Sequence, residues 1–162
     1  MELSPERTDG KAGFIHPLEC TGTAELAKVR LILRAFELAE LAAQRQLLEK
    51  MSAELRAAEP RARIELTFSE QYRNMRYWLE RDMRPVDFAR EAIRRAGLSP
   101  RSPAIRGGID GSSLTQRGLP TPNIFCGMNE VHSPREWVSL QDMAKAVETL
   151  LHLAQVWQEH SV

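Results

Sequence analysis

The stretch Ala24-Glu25-Leu26-Ala27-Lys28-Val29-Arg30-Leu31-Ile32-Leu33-Arg34-Ala35-Phe36 alternates by twos. Ala27, Val29, Leu31, Leu33 and Ala35 share one face, while Lys28, Arg30 and Arg34 share the other. That period describes a strand burying one side of its pleat. Just before it, Gly13-Phe14-Ile15-His16-Pro17-Leu18-Glu19-Cys20-Thr21-Gly22-Thr23 reads as a second short strand, interrupted by Pro17 and closed by a turn at Gly22. The pair is expected to form a hairpin.

Working outward, Glu37 to Glu59 lacks Gly and Pro and is rich in Ala, Leu, Glu, Gln and Arg, the strong helix formers. Leu41, Leu48, Met51 and Leu55 form its expected apolar stripe, and Pro60 ends it. Ala62, Ile64, Leu66 and Phe68 then alternate with Arg63, Glu65 and Thr67, a half-buried strand by pattern. Residues 13–72 thus read strand, strand, helix, strand: a partial split-βαβ unit, ferredoxin-like, without its opening strand and helix. Residues 1–12 carry no periodic pattern and read as a flexible N-terminus.

Residues 73–85 mix Arg, aromatics and Met, and are expected to link two lobes. Val86 to Ala96 predicts a short helix with Val86, Ala89, Ile93 and Ala96 on one side, stopped by Gly97 as a left-handed cap. Residues 97–138 are broken repeatedly by Gly and Pro and read as irregular, with Asn123 to Cys126 a short buried strand. Ser139 and Asp142 predict a capped helix whose stripe is Leu140, Met143, Val147, Leu150, Ala154 and Trp157.

Composition narrows the function classes. The 162 residues carry 22 Lys+Arg against 22 Asp+Glu, for a formal net charge of zero. That leaves no global field for binding a phosphate backbone, so nucleic acid is not an expected partner. No apolar run approaches the roughly 20 residues a membrane span needs, and Met1 to Pro5 lack the features of a signal peptide, so a cytoplasmic location is expected. Cys20 and Cys126 are the only cysteines and form no Cys-x-x-Cys, which excludes a disulfide framework or a cysteine-based zinc knuckle.

Two places could hold chemistry. In Ile105-Arg106-Gly107-Gly108-Ile109-Asp110-Gly111-Ser112 the paired glycines let backbone N–H groups approach a ligand, and Arg106 can fork two hydrogen bonds onto a carboxylate; a plain turn is the competing reading. His132, on the loop after Asn123 to Cys126, offers one imidazole, yet a metal would need further ligands from elsewhere. Arg30 and Arg34 lie on one strand face, and Asn74 and Arg76 sit beside Tyr72, Tyr77 and Trp78, so both groups could equally be ordinary surface or packing.

These residues carry a family resemblance. The series from Ile105 to Ser112, then Gly118-Leu119-Pro120-Thr121-Pro122-Asn123-Ile124-Phe125-Cys126-Gly127, then His132 and Glu136-Trp137 before the last helix, closely resembles the C-terminal end of the peptidase T-like (tripeptide aminopeptidase) dizinc exopeptidases. Gly13-Phe14, His16, Leu33-Arg34 and Tyr72-Arg73-Asn74-Met75 fit the same family, so the resemblance runs from about residue 5 to the end.

The resemblance implies an α/β fold in which residues 13–72 are the second half of a lid and dimerisation domain, and 73–162 the C-terminal segment of a zinc-exopeptidase catalytic domain. It implies two zinc ions in the complete enzyme, a small peptide substrate and a homodimer through the lid. His132 would be the one metal ligand supplied here. Arg34 would hold the peptide's terminal carboxylate, and Arg106, Gly107 and Gly108 would line the substrate site with Asn74 beside them. Ile109 and Ala35 depart from the family's usual Thr and Asp. No catalytic residue is expected within this chain, because the general base and the other ligands would precede it. The expectation is therefore an N-terminally truncated, inactive part of a tripeptidase. The rival expectation is a non-catalytic lid-type module for dimerisation or binding.

Overall fold

A computed structural model describes residues 3–161 as a mixed α/β chain with two small antiparallel sheets. It divides into two units, one running to Asn74 and taking in Ala104–Gly108, the other made of Met75–Pro103 and the chain from Ile109 onward.

In the first unit, one turn of 3-10 helix at Pro5–Arg7 precedes the strands β1 (Phe14–Gly22) and β2 (Ala27–Arg34). They pair antiparallel from Phe14↔Arg34 to Gly22↔Ala27, as the alternation predicts. Proline has no N–H to give to the ladder, and the register slips between Pro17 and Glu19. Thr23 closes the hairpin by donating its N–H to Leu26 O at 2.7 Å and accepting the Leu26 N–H on its hydroxyl at 3.2 Å. Ile15 is fully buried, while Val29 on β2 is 54% exposed. One stretch of the apolar face is therefore uncovered.

The predicted long helix is α1 (Leu38–Ala58). Its buried line differs from the predicted stripe, for Gln44, Leu48 and Ser52 lie inside while Met51 and Leu55 face outward. The rotation has a hydrogen-bonding cause. Gln44 Nε2 donates to Arg34 O at 3.0 Å and so turns its side of α1 toward the end of β2.

The strand expected at Ala62 to Phe68 is absent: residues 62–74 form no ladder. Alternation marks a segment with two unlike faces, but a strand exists only when a neighbour pairs with it. Here side chains of α1 hold the segment instead. Arg56 donates from Nε to Ile64 O at 3.1 Å, and the Arg45 guanidinium lies 4.5 Å from the Phe68 ring centroid. The partial split-βαβ reading of residues 13–72 thus keeps its hairpin and helix but lacks its last strand among the described residues.

The second unit contains α2 (Arg76–Leu79), α3 (Arg84–Arg95), α4 (Asp110–Gln116), β3 (Met128–Asn129), β4 (Trp137–Val138) and α5 (Leu140–Glu159). The supposed linker 73–85 therefore carries a helical turn with Leu79 buried. Asn123 to Cys126 is not a strand, and the nearby pairing is β3 with β4, a two-residue hairpin with both strands exposed. The stretch Asp110-Gly111-Ser112, expected to be loop, begins α4. Thr115 secures it, donating to Gly111 O at 2.6 Å and accepting the Thr121 N–H at 2.9 Å.

Helix α3 packs on α5 through small residues, with Ala89, Ala92 and Ala96 buried on one side and Thr149 and Val156 on the other. Phe88 meets Trp157 edge-on at 4.7 Å, Arg95 makes two 2.7 Å hydrogen bonds to the Glu159 carboxylate, and Lys145 Nζ donates to Ala96 O at 2.8 Å. The Ser139 cap is as predicted, its hydroxyl accepting the Asp142 N–H at 3.0 Å. Most of the predicted stripe of α5 is not what packs: Leu140 is 76% exposed, Val147 57% and Leu150 52%, while Trp157 at its end meets Phe88 and the buried Thr149 and Val156 lie on another side of the helix.

At the end of α3, Gly97 has φ +76°. Its N–H donates to Arg94 O at 2.9 Å while the Leu98 N–H reaches back to Ile93 O at 3.1 Å, which is the Schellman pattern. A methyl at position 97 would meet open space, so its cost is torsional alone. Gly97→Ala should destabilise the chain by about 1 kcal/mol in urea unfolding. Gly97→Asn should lose less, since Asn tolerates the left-handed region.

Candidate functional site

The residues singled out in the sequence fall into two groups, one in each unit. Arg34, Asn74, Arg106, Gly107 and Gly108 lie in the first unit and His132 in the second.

Arg34 ends β2, opposite Phe14. The hairpin register fixes its backbone, and Gln44 occupies its carbonyl. The guanidinium is held at three points: Nη1 donates to Leu33 O at 3.1 Å, Nη2 donates to Gln71 Oε1 at 3.0 Å, and the group sits 4.8 Å from the Tyr72 ring centroid. Two of its five donors are engaged among the described residues, which leaves a planar cation able to bind a carboxylate.

Arg106 is engaged more heavily. Nη1 donates to Thr8 O at 2.5 Å, Nη2 donates to the Thr8 hydroxyl and to Ala12 O at 3.3 Å, and the guanidinium stacks 4.6 Å from the Phe14 centroid. Its buried Nε has no partner. The fork that the sequence suggested for a ligand is thus turned onto the N-terminal segment. Thr8 and Phe14 are neighbours of Arg106 that the sequence does not reveal, since nothing local ties residue 106 to residue 8.

Gly107 is exposed and its missing side chain faces open space, whereas Gly108 is pressed against Tyr72: a Cβ there would collide with Cε1, Cζ and the hydroxyl. Asn74 is half-buried at the end of the first unit's main stretch.

His132 lies on the loop joining β3 to β4, exposed, with φ +66°. Its N–H donates to Glu136 Oε2 at 2.7 Å, which pins the loop, as does the Ser133 N–H on Glu130 O at 3.1 Å. A left-handed non-glycine residue is uncommon, and such strain collects at functional positions. Among the described residues, however, no three His, Cys, Asp or Glu side chains converge to hold an ion. A tight zinc site takes three or four protein ligands, so the donors among the described residues do not by themselves make a zinc centre.

The clamp on the N-terminal segment gives a direct test. Arg106→Ala removes several charge-assisted hydrogen bonds and a stacked ring, and should cost about 2 kcal/mol in urea unfolding, with faster amide exchange at residues 5–14. Arg106→Lys should recover only part, because an ammonium cannot reproduce the planar fork.

Comparison with known proteins extends over both groups. The family model described as Peptidase family M20/M25/M40 matches residues 6–156. Peptidase T of Aeromonas hydrophila is 43% identical over 155 residues, covering 96% of this chain but 38% of that protein. Peptidase T of Streptococcus thermophilus is 41% identical over 150 residues, covering 93% of this chain and 37% of its own length. The chain therefore spans less than two-fifths of the relatives it matches. No helix among the described residues is long and apolar enough to cross a membrane. With the match continuous from the clamp at Arg106's partners, through the hairpin of Arg34 and the loop of His132, into α5, the chain belongs to peptidase family M20/M25/M40.

Proposed function

We propose that this chain is part of a zinc-dependent aminopeptidase that removes the N-terminal residue of tripeptides, and that it is inactive alone. Arg34 is the substrate residue, binding the peptide's terminal carboxylate. Arg106 keeps Gly107 and Gly108 in place beside the substrate, Asn74 borders it, and His132 contributes a single imidazole to a metal site whose other ligands lie outside these residues. The supporting observation is the seat of Arg34, a half-buried guanidinium held by Gln71 and Tyr72 with donors left over. An enzyme restricted to very short peptides must recognise a terminal carboxylate, and guanidinium does this with two parallel hydrogen bonds.

Against hydrolysis by the chain alone stands the donor set, which cannot by itself hold and activate a metal-bound water. A second reading, a non-catalytic dimerisation or binding module, is favoured by the β1–β2 sheet, which has no third strand among the described residues. In the first reading the homodimer through the lid belongs to the complete enzyme, and in the second to this chain by itself. Sedimentation separates the two: a folded dimer at micromolar concentration supports the module, and a monomer or aggregate counts against it.

The enzymatic reading is tested by grafting residues 6–156 in place of the matching segment of Aeromonas hydrophila peptidase T. The graft should hydrolyse tripeptides. Adding Arg34→Ala should raise KM by about 10–100-fold for free-carboxylate tripeptides and change little for C-terminally amidated ones. An unchanged KM would sink the role of Arg34. Tripeptide turnover by the isolated 162-residue chain with zinc, abolished by a chelator, would overturn its inactivity.

A further inference from the structure

The contacts around Arg34 close into a circuit. Arg34 pairs with Phe14 across the hairpin, Phe14 stacks under Arg106, Arg106 leads two residues on to Gly108, Gly108 abuts Tyr72, and Tyr72 lies under Arg34. Every member lies in the first unit. Two guanidiniums thus rest on two aromatic rings, and the segment that carries Arg106 and Gly108 touches both rings.

Tyr72 is the member whose chemistry packing alone does not account for. Among the described residues its buried hydroxyl finds no hydrogen-bond partner, an arrangement that destabilises a fold. Its ring, by contrast, has a definite task, because among the described residues the other hydrogen-bond partners of the Arg34 guanidinium are its own strand's Leu33 carbonyl and the exposed Gln71. We propose that Tyr72 is the positioning residue for Arg34, its ring face fixing the plane of the guanidinium, and that Gly108 is the residue whose missing side chain lets the ring lie there.

A guanidinium on a flexible stem has many orientations, and a ring face removes most of them before a ligand arrives. Position 108 sets how close the loop comes. A side chain there would drive the Tyr72 ring aside and release Arg34 with it. Burial pushes the phenol above its ordinary pKa, opposed by the Arg34 charge, so the ring stays neutral across the working pH range. The task belongs to the ring and not to the hydroxyl.

This inference rests on Arg34 being the carboxylate-binding residue, and the two can fail separately. The probe is the Arg34 Nε–H signal in NMR spectra of the full 162-residue chain. In Tyr72→Phe that signal should keep its shift and exchange rate, and urea stability should hold or rise. In Tyr72→Leu its solvent exchange should speed up about tenfold, the loss expected for a cation–π contact. Gly108→Ala should move the Tyr72 ring resonances and speed Arg34 exchange likewise, and should destabilise much less in a Tyr72→Leu background than in the wild type. If Tyr72→Leu is folded and leaves Arg34 unchanged, the inference is overturned. If Tyr72→Leu fails to fold, Gly108→Ala decides, and an unchanged Arg34 signal there overturns it equally. Adding a free-carboxylate tripeptide, with its amidated counterpart as control, probes the other reading. If neither peptide shifts Arg34 in the wild type, the carboxylate role falls while the positioning result stands on its own spectra.

Discussion

The Arg106 guanidinium, stacked on Phe14 and hydrogen-bonded to Thr8 and Ala12, is the interaction on which the first unit's loop depends. Ala104–Gly108 has no secondary structure of its own, and a chain segment without a ladder or helix must find partners for its polar groups elsewhere. One planar cation supplies them by joining carbonyls from the N-terminal segment to the loop that carries it. With that anchor set, Gly108 comes against Tyr72, and Tyr72 against Arg34. The geometry of the proposed carboxylate site thus follows from a contact nearly a hundred residues apart in sequence.

Energetically the second unit is the more exposed. Its core is narrow, built from alanines of α3 with Val156 and Thr149 of α5, and from the buried Leu79, Ser112 and Thr115. Meanwhile Leu140, Met143, Val147, Leu150 and Leu151 stay largely in water, and each side chain of that size is worth about 1.5–3 kcal/mol when fully buried. Small residues permit close helix approach, and the two hydrogen bonds of Arg95 with Glu159 reinforce it. Ion pairs this exposed add little, so the cap at Gly97 and the cap at Ser139 weigh more than their size suggests.

Legibility in the sequence followed the range of the interaction. The hairpin, α1, α3 with Gly97 and α5 with Ser139 rest on local rules of period, propensity and capping, and each lies where those rules put it. Residues 62–68 and 123–126 were misread because a strand is a property of a pair. The α5 stripe was legible as apolar but not as uncovered, since periodicity identifies a face and not its neighbour. Helix α4 escaped notice because Asp110, Gly111, Ser112 and Ser113 are poor helix formers and Thr115 settles the matter through Thr121. At the site, Arg34 and Gly108 could be named from sequence, whereas the seat of Arg34 on Tyr72 and the clamp of Arg106 on Thr8 needed coordinates.

The chain leaves the first unit at Asn74, returns to it at Ala104 and leaves again at Gly108. Neither unit can therefore be excised as one continuous piece of polypeptide. A gene cut after Asn74 would delete the five residues that Tyr72 and Phe14 rest against, and leave both rings facing water. A nick at any one of the three crossings would still leave the units covalently joined by the other two. Duplication, fusion or transfer of this region to another protein has to move it whole.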